Sequence, residues 1–329
     1  MASHRVLYVE REAFDYPHTR RLMELHRDRP VVRVDSHAEV FYRSGQSFRS
    51  QKRSPGLIAA VGRGPLLYEA PSRVCGVRGL PVYYNDQLRN CVYDCDYCFL
   101  QGMHPSGHQL VFVNSEDFHR EAARRATRGP YWLSVSYLTD ILAFEPVLPL
   151  AHEWVAFARR TPGVTVEIRT KGEASGLPRE APPPNVVLVW SLSPQPLASR
   201  AERGCATLAN RLRAARSASD AGWRVRIAVD PVVLYPGWRE DYEAMLESTR
   251  ALLRAEAVEA ATVGVFRVGV DFMSRMTAAR ADSPVLHYPF ERAHRVVTYS
   301  AAERESVDRL VGSSLRRWLG DEKVGVVHG

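Results

Sequence analysis

The 329-residue chain has only three lysines, Lys52, Lys171 and Lys323, among 44 basic residues, so arginine carries nearly all of its positive charge. The net charge of +7 permits a polyanionic partner, but the excess is spread along the chain, as on an ordinary solvated surface. No apolar run reaches the roughly 18 residues that cross a bilayer. Met1-Ala2-Ser3-His4-Arg5 also lacks the apolar core of a signal peptide. These absences predict a cytoplasmic protein with no membrane partner. Internal repeats and low-complexity tracts are missing as well, which excludes solenoids and disordered arrays. Cysteine is scarce, with five in the chain, so a disulfide framework is excluded.

Three of those five cysteines fall within eight residues, in Asn90-Cys91-Val92-Tyr93-Asp94-Cys95-Asp96-Tyr97-Cys98-Phe99. The C-x3-C-x2-C spacing puts Cys91, Cys95 and Cys98 around one centre, and thiolates select soft metals. Two centres fit. A structural zinc would need a fourth ligand, for which His104 and His108 are at hand. A [4Fe-4S] cluster held by three thiolates instead keeps one iron open for a small molecule.

Around this motif the apolar runs suggest an α/β fold. Residues 1–80 read as a small N-terminal α/β extension, with strands at Arg5–Val9 and Val31–Val34 around a helix over Thr19–His26. From 81 to 300, apolar strands alternate with helical patterns. The strands fall at 110–113, 132–137, 164–169, 186–192, 225–229 and 262–268, a succession that predicts a partial (βα)6 TIM-like barrel with a parallel sheet. Residues 301–329 supply a C-terminal capping helix and tail, with Val307, Leu310, Val311, Leu315 and Trp318 on one helix face. Chemistry in such barrels sits at the carboxyl ends of the strands. The side chains expected there are Thr139, Asp140, Lys171, Ser191, Ser193, Asp230 and Arg267. The stretch from Phe41 to Arg53 interleaves aromatics with four basic residues, a pattern that suits either a nucleic-acid contact or an anchored surface loop.

The cysteine spacing, with aromatic Tyr97 just before the last cysteine, resembles the signature of radical SAM enzymes. The resemblance implies that Cys91, Cys95 and Cys98 hold a [4Fe-4S] cluster that binds S-adenosylmethionine (SAM) and reduces it to a 5'-deoxyadenosyl radical. It also implies a reducing partner such as flavodoxin or ferredoxin. Further matches follow in order: Val6-Leu7-Tyr8-Val9-Glu10, Cys95-Asp96-Tyr97-Cys98-Phe99-Leu100-Gln101, Phe112-Val113-Asn114 and Pro236-Gly237-Trp238. Together they are similar to the spore photoproduct lyases, which split a thymine dimer in DNA. On that resemblance Thr139, Lys171 and Ser191 bind SAM, and Tyr97 packs beside the cluster and can relay a hydrogen.

The resemblance breaks at three places. Tyr137 stands where the lyases have their cysteine hydrogen donor, and Phe99 stands where they have tyrosine. The region from His287 to Val297, matching their basic DNA-engaging hairpin, is short and retains two arginines. Three readings follow. The favoured one is carbon-carbon bond chemistry on a free pyrimidine nucleoside or nucleotide, in a biosynthetic setting. The second is thymine-dimer repair in DNA with a donor other than cysteine, using Tyr137 and Tyr97. The third is a zinc-stabilised nucleic-acid-binding protein without catalysis.

Overall fold

The computed structural model describes residues 4–70, 79–178 and 180–327. Two sheets organise them. The larger has eight strands in the spatial order Val324–Val327, Ala260–Val265, Arg224–Val232, Val186–Ser191, Val164–Thr170, Tyr131–Ser134, Val82–Asn85 and Leu67–Ala70. Every neighbouring pair is parallel except the last, Val82–Asn85 with Leu67–Ala70. The fold is a mixed α/β half-barrel built on a curled, mainly parallel sheet. The smaller sheet runs Val31–Val34, Leu7–Glu10, Leu57–Ala60, Gln109–Phe112 and Leu88–Arg89, antiparallel only at its final pair. The sheets exchange segments across residue 80: Leu67–Ala70 lies in the barrel, and Gln109–Phe112 lies in the N-terminal sheet.

Side-chain alternation makes the barrel and places its polar end. Val186, Leu188 and Trp190 belong to the core under the outer helices, while Val187 and Val189 join Val82, Trp132 and Ala228 in a second apolar cluster. Successive residues of a strand face opposite sides, so this second cluster is the barrel interior. Each interior row turns polar toward its carboxyl end: Trp132 gives way to Ser134 and Ser136, Val189 to Ser191, Ala228 to Asp230. The next strand carries Glu167, Arg169 and Lys171 in the same row. These polar residues all line one cavity, over an apolar floor.

The helices close the outside for ordinary reasons. Leu150–Arg160 buries Leu150, Ala151, Trp154, Val155, Phe157 and Ala158 and leaves Arg159 and Arg160 in its last turn, where cations suit the helix dipole. The C-terminal helical run, Ala301–Val307 through Ser313–Leu319, starts in a full capping box between Ser300 and Glu303. It buries Val307, Val311 and Leu315 and packs on Ala260–Val265 and Val324–Val327. The tail beyond it contributes the seventh parallel strand, which the sequence pattern did not signal. No helix of the described residues is long and apolar enough to cross a membrane.

Candidate active site

The cavity at the carboxyl ends of the parallel strands has a volume of about 440 Å³. It brings together Cys91, Cys95, Cys98, Tyr97, Tyr137, Thr139, Lys171 and Ser191, the eight side chains tied to the cluster, SAM or hydrogen transfer from sequence. Of the other strand-end residues, Asp140, Asp230 and Arg267 line it too. Ser193 does not, and it donates instead to Glu202 at 2.8 Å.

The cysteine loop is held from several sides. Asn90 adopts a left-handed backbone (φ 68°) that turns the chain into the motif. Its amide donates to the carbonyls of Ser106 and His108, and its own carbonyl accepts from the Thr139 hydroxyl at 3.0 Å. Lys52 donates to the carbonyls of Cys91 and Tyr93, the latter at 2.6 Å. Arg49 forms a fork to Asp282 at 2.6 and 2.7 Å, while Phe41 and Phe48 are buried. Lys52 therefore ties the aromatic-basic stretch to the cysteine loop and Arg49 anchors the stretch to Asp282, so two of its four cations are engaged within the protein. Between the cysteines, Asp94 and Asp96 pair with Arg203 and Arg280.

One residue that sequence reasoning missed sits at the centre of the charge network. Glu202 has a fully buried side chain and accepts from Lys171 Nζ at 2.7 Å, from Ser193, from the Tyr97 hydroxyl and from the fully buried Arg211. Burial opposes its charge, but Lys171 and Arg211 hold its carboxyl well below the usual range. Burial likewise opposes the Lys171 ammonium, yet Cys95, Glu202 and Tyr97 keep it protonated well above its ordinary pKa. Lys171 also donates to the Tyr97 hydroxyl at 2.6 Å and lies 4.5 Å from that ring's centroid. The signal for Glu202 was faint: it lies in a two-residue strand, Glu202–Arg203, antiparallel to Asp94–Cys95.

The far wall carries a different chemistry. The Tyr137 ring lies 4.4 Å from Tyr84 and 5.9 Å from Phe99. Phe266, Val268 and Phe272 add apolar surface. Arg267 forks onto Asp230 at 2.8 and 3.2 Å, and Arg169 lies 3.5 Å from Glu167. Ser136 Oγ is buried without a partner while lining the same space, as a group waiting for a ligand would be.

A family model described as spore photoproduct lyase matches residues 3–269. The chain belongs to the spore photoproduct lyase family. It is a radical SAM enzyme, and its cofactors are a [4Fe-4S] cluster and SAM. No curated protein matches it. Among solved structures, a spore photoproduct lyase complexed with dinucleoside spore photoproduct superposes with a TM-score of 0.80 at 17% identity, over 99% of this chain and 98% of that one. A mutant lyase with bound AdoMet and dinucleoside spore photoproduct gives 0.77 at 16% identity, with the same coverage.

The donor set of this family member fits its cofactors. Three thiols line one end of the cavity, with a lysine ammonium and the orphaned Ser136 hydroxyl in the same space. Burial raises the Cys98 thiol to about 11 and pushes Cys91 up too, while the hydrogen bond from Cys205 lowers Cys95; binding a cationic centre would draw the protons off the first two. The zinc reading fails on its fourth ligand. His104 is packed 5.2 Å from the Phe41 ring, with burial holding its pKa at about 3, and His108 Nδ1 accepts from the Gly56 amide at 2.9 Å. Neither lines the cavity. Cys205 brings its sulfur within 3.7 Å of Cys95 Sγ, and Cys75 lies outside the described residues.

Proposed function

We propose that the enzyme performs carbon-carbon bond chemistry on a pyrimidine nucleoside or nucleotide, in a biosynthetic setting, and does not return the abstracted hydrogen through a thiol. When bound, the cluster and SAM supply a 5'-deoxyadenosyl radical. In this reading Cys91, Cys95 and Cys98 hold the cluster, while Thr139, Lys171 and Ser191 orient SAM. Lys171 suits that role because Arg211 already neutralises Glu202, so the ammonium retains charge for a SAM carboxylate. Tyr97, hydrogen-bonded into the Glu202 network, fixes the loop between Cys95 and Cys98 and stands beside the cluster site.

The observation that carries the reading is the composition of the cavity wall. Apart from the three cysteines of the motif, no cysteine among the described residues lines it, and Tyr137 packs against Phe99 where the lyase relay would need a thiol and a phenol. Phe99, Tyr137, Phe266 and Phe272 offer faces for a planar ring. Ser134, Ser136, Glu167, Arg169, Asp230 and Arg267 offer donors and acceptors for its edge and sugar.

The charge pattern supports a small substrate over duplex DNA. Of the arginines lining the cavity, Arg169 and Arg267 each face a carboxylate, as do Arg203 and Arg280 on the cysteine loop beside it, which leaves little free charge for a run of phosphates. The C-terminal hairpin, strands Glu291–Ala293 and Val296–Thr298, carries only Arg292 and Arg295 near its tip. Dimer repair remains the second reading, supported by the lyase structures that hold dinucleoside spore photoproduct. In the repair reading Tyr137 and Tyr97 would supply the returning hydrogen.

The reduced holoenzyme with SAM should be offered pyrimidine nucleosides, nucleotides and nucleotide sugars beside the spore-photoproduct dinucleotide and oligonucleotide. Stimulation of 5'-deoxyadenosine formation by the nucleoside class is the expected result. Multiple-turnover release of thymine from the photoproduct would overturn it in favour of repair.

A further inference from the structure

Cys205 does not line the cavity, yet its sulfur lies 3.7 Å from that of Cys95. The backbone builds this approach. Glu202 sits opposite Cys95, and Arg203 opposite Asp94, in the short antiparallel ladder. Gly204 then turns at φ +84°, a conformation that favours glycine, and the Cys205 amide closes the turn onto the Glu202 carbonyl at 3.2 Å. The next amide, of Ala206, donates to the Lys171 carbonyl at 3.0 Å, so the segment is fixed on both sides of the thiol. A disulfide places its sulfurs about 2.05 Å apart, so the two must approach by a further ~1.7 Å to close the bond. Cys95 opens onto the cavity and Cys205 is half-buried, which gives a small oxidant two routes to the pair.

We propose that Cys95 and Cys205 form a reversible disulfide when the enzyme lacks its cluster, with a low-molecular-weight disulfide of the glutathione type as oxidant. The inference rests on Cys95 being a cluster ligand. One cysteine thiolate attacks the small disulfide and releases a thiol, and the second displaces the other thiol from the mixed disulfide. Both protein sulfurs are oxidised by one electron each, the small disulfide is reduced to two thiols, and the two cysteine protons leave on those thiols. Held in this bond, Cys95 cannot bind iron, but neither can it climb to sulfinic acid, from which a simple thiol does not recover it. Cys205 thus guards a cofactor cysteine during the interval between cluster loss and reassembly. In the loaded enzyme Cys95 is engaged, and the bond does not form.

The test uses full-length protein in cluster-free and anaerobically loaded forms, each incubated with oxidised glutathione, alkylated, digested and mapped by mass spectrometry. The expected result is a Cys95–Cys205 cross-link in the cluster-free form alone, reversed by dithiothreitol with full recovery of iron loading. Cys205→Ser should show glutathionylated Cys95 and no cross-link; when the glutathione-treated cluster-free forms are then exposed to hydrogen peroxide, reduced and reloaded, this variant should carry sulfinic Cys95 and recover several-fold less iron than the native sequence. Cys95 linked to Cys91 or Cys98 in the native sequence, or left as a free thiol, overturns the proposal. Iron content of untreated Cys95→Ala is read separately: normal iron there refutes the ligand assignment, whatever the disulfide map shows.

Discussion

Replacing Glu202 by glutamine removes one charge from the middle of the site and keeps the side chain's shape. The carboxylate is fully buried and accepts from Lys171, Ser193, Tyr97 and Arg211. Arg211 is also fully buried and cannot lose its proton, so Glu202→Gln strands a guanidinium in the protein interior. Breaking a buried pair from one side costs about 3–5 kcal/mol. At an m-value near ~3 kcal/mol/M, the urea midpoint of the reduced, cofactor-free protein should fall by about 1 to 1.7 M. Adding Arg211→Met removes the stranded charge, so the double variant should be more stable than Glu202→Gln alone, a coupling that a double-mutant cycle reads directly. The Glu202 carboxyl is depressed in the folded state, so its contribution is present above about pH 4.5 and is lost as pH falls below that value. A Glu202→Gln midpoint within the equivalent of ~0.5 kcal/mol of the native one, or a double variant less stable than the single, would refute this reasoning.

Other perturbations probe separate parts of the molecule. Alanine at Cys91, Cys95 or Cys98 should each abolish iron binding, the absorption shoulder near ~400 nm and SAM cleavage, measured by iron assay and 5'-deoxyadenosine yield. Tyr137→Phe keeps the ring beside Tyr84 and Phe99, so product should be nearly unchanged with 5'-deoxyadenosine still formed; a large fall in product alone would give the hydroxyl the hydrogen-donor role that the repair reading requires. Gly102→Ala would bring a methyl group 2.6 Å from the Phe272 carbonyl oxygen, prying apart the helix after the cysteines and the helix bearing Phe272, at about 1–3 kcal/mol in urea melts. Burial lowers His4 and His119 to about 4, so folding favours their neutral rings. Their stability is fully present above about pH 6.5 and is lost as pH falls toward 4, on the order of 3 kcal/mol for the fully buried His4. Urea midpoints that hold steady or rise from pH 7 to pH 5 would contradict it.

Much of the site was legible because parallel strands point their carboxyl ends the same way. Once the apolar runs were read as such strands, Thr139, Lys171, Ser191, Asp230 and Arg267 had to converge, and the cysteine spacing named the chemistry beside them. The parts that escaped depend on contacts with no local pattern. Glu202 lies 107 positions beyond Cys95 and meets it through a two-residue strand that carries no periodicity. Lys52 reads as one basic residue in a polar stretch, and only the fold reveals its bonds to two carbonyls of the cysteine loop. The strand Val324–Val327 is four residues long with a glycine inside it, too short to separate from a tail. His104 and His108 had the right chemistry for zinc, but the fold carries them to the buried aromatic side of the loop, away from the thiols.

The central claim is that hydrogen taken from the substrate is not handed back through a thiol. It is tested most directly by counting 5'-deoxyadenosine against product over multiple turnovers with the reduced holoenzyme and a substrate that it converts. One deoxyadenosine per product is the expected result, because among the described residues the wall holding Tyr137 and Phe99 carries no thiol to complete a return. A deoxyadenosine yield far below that of product, with SAM recovered intact, would contradict it.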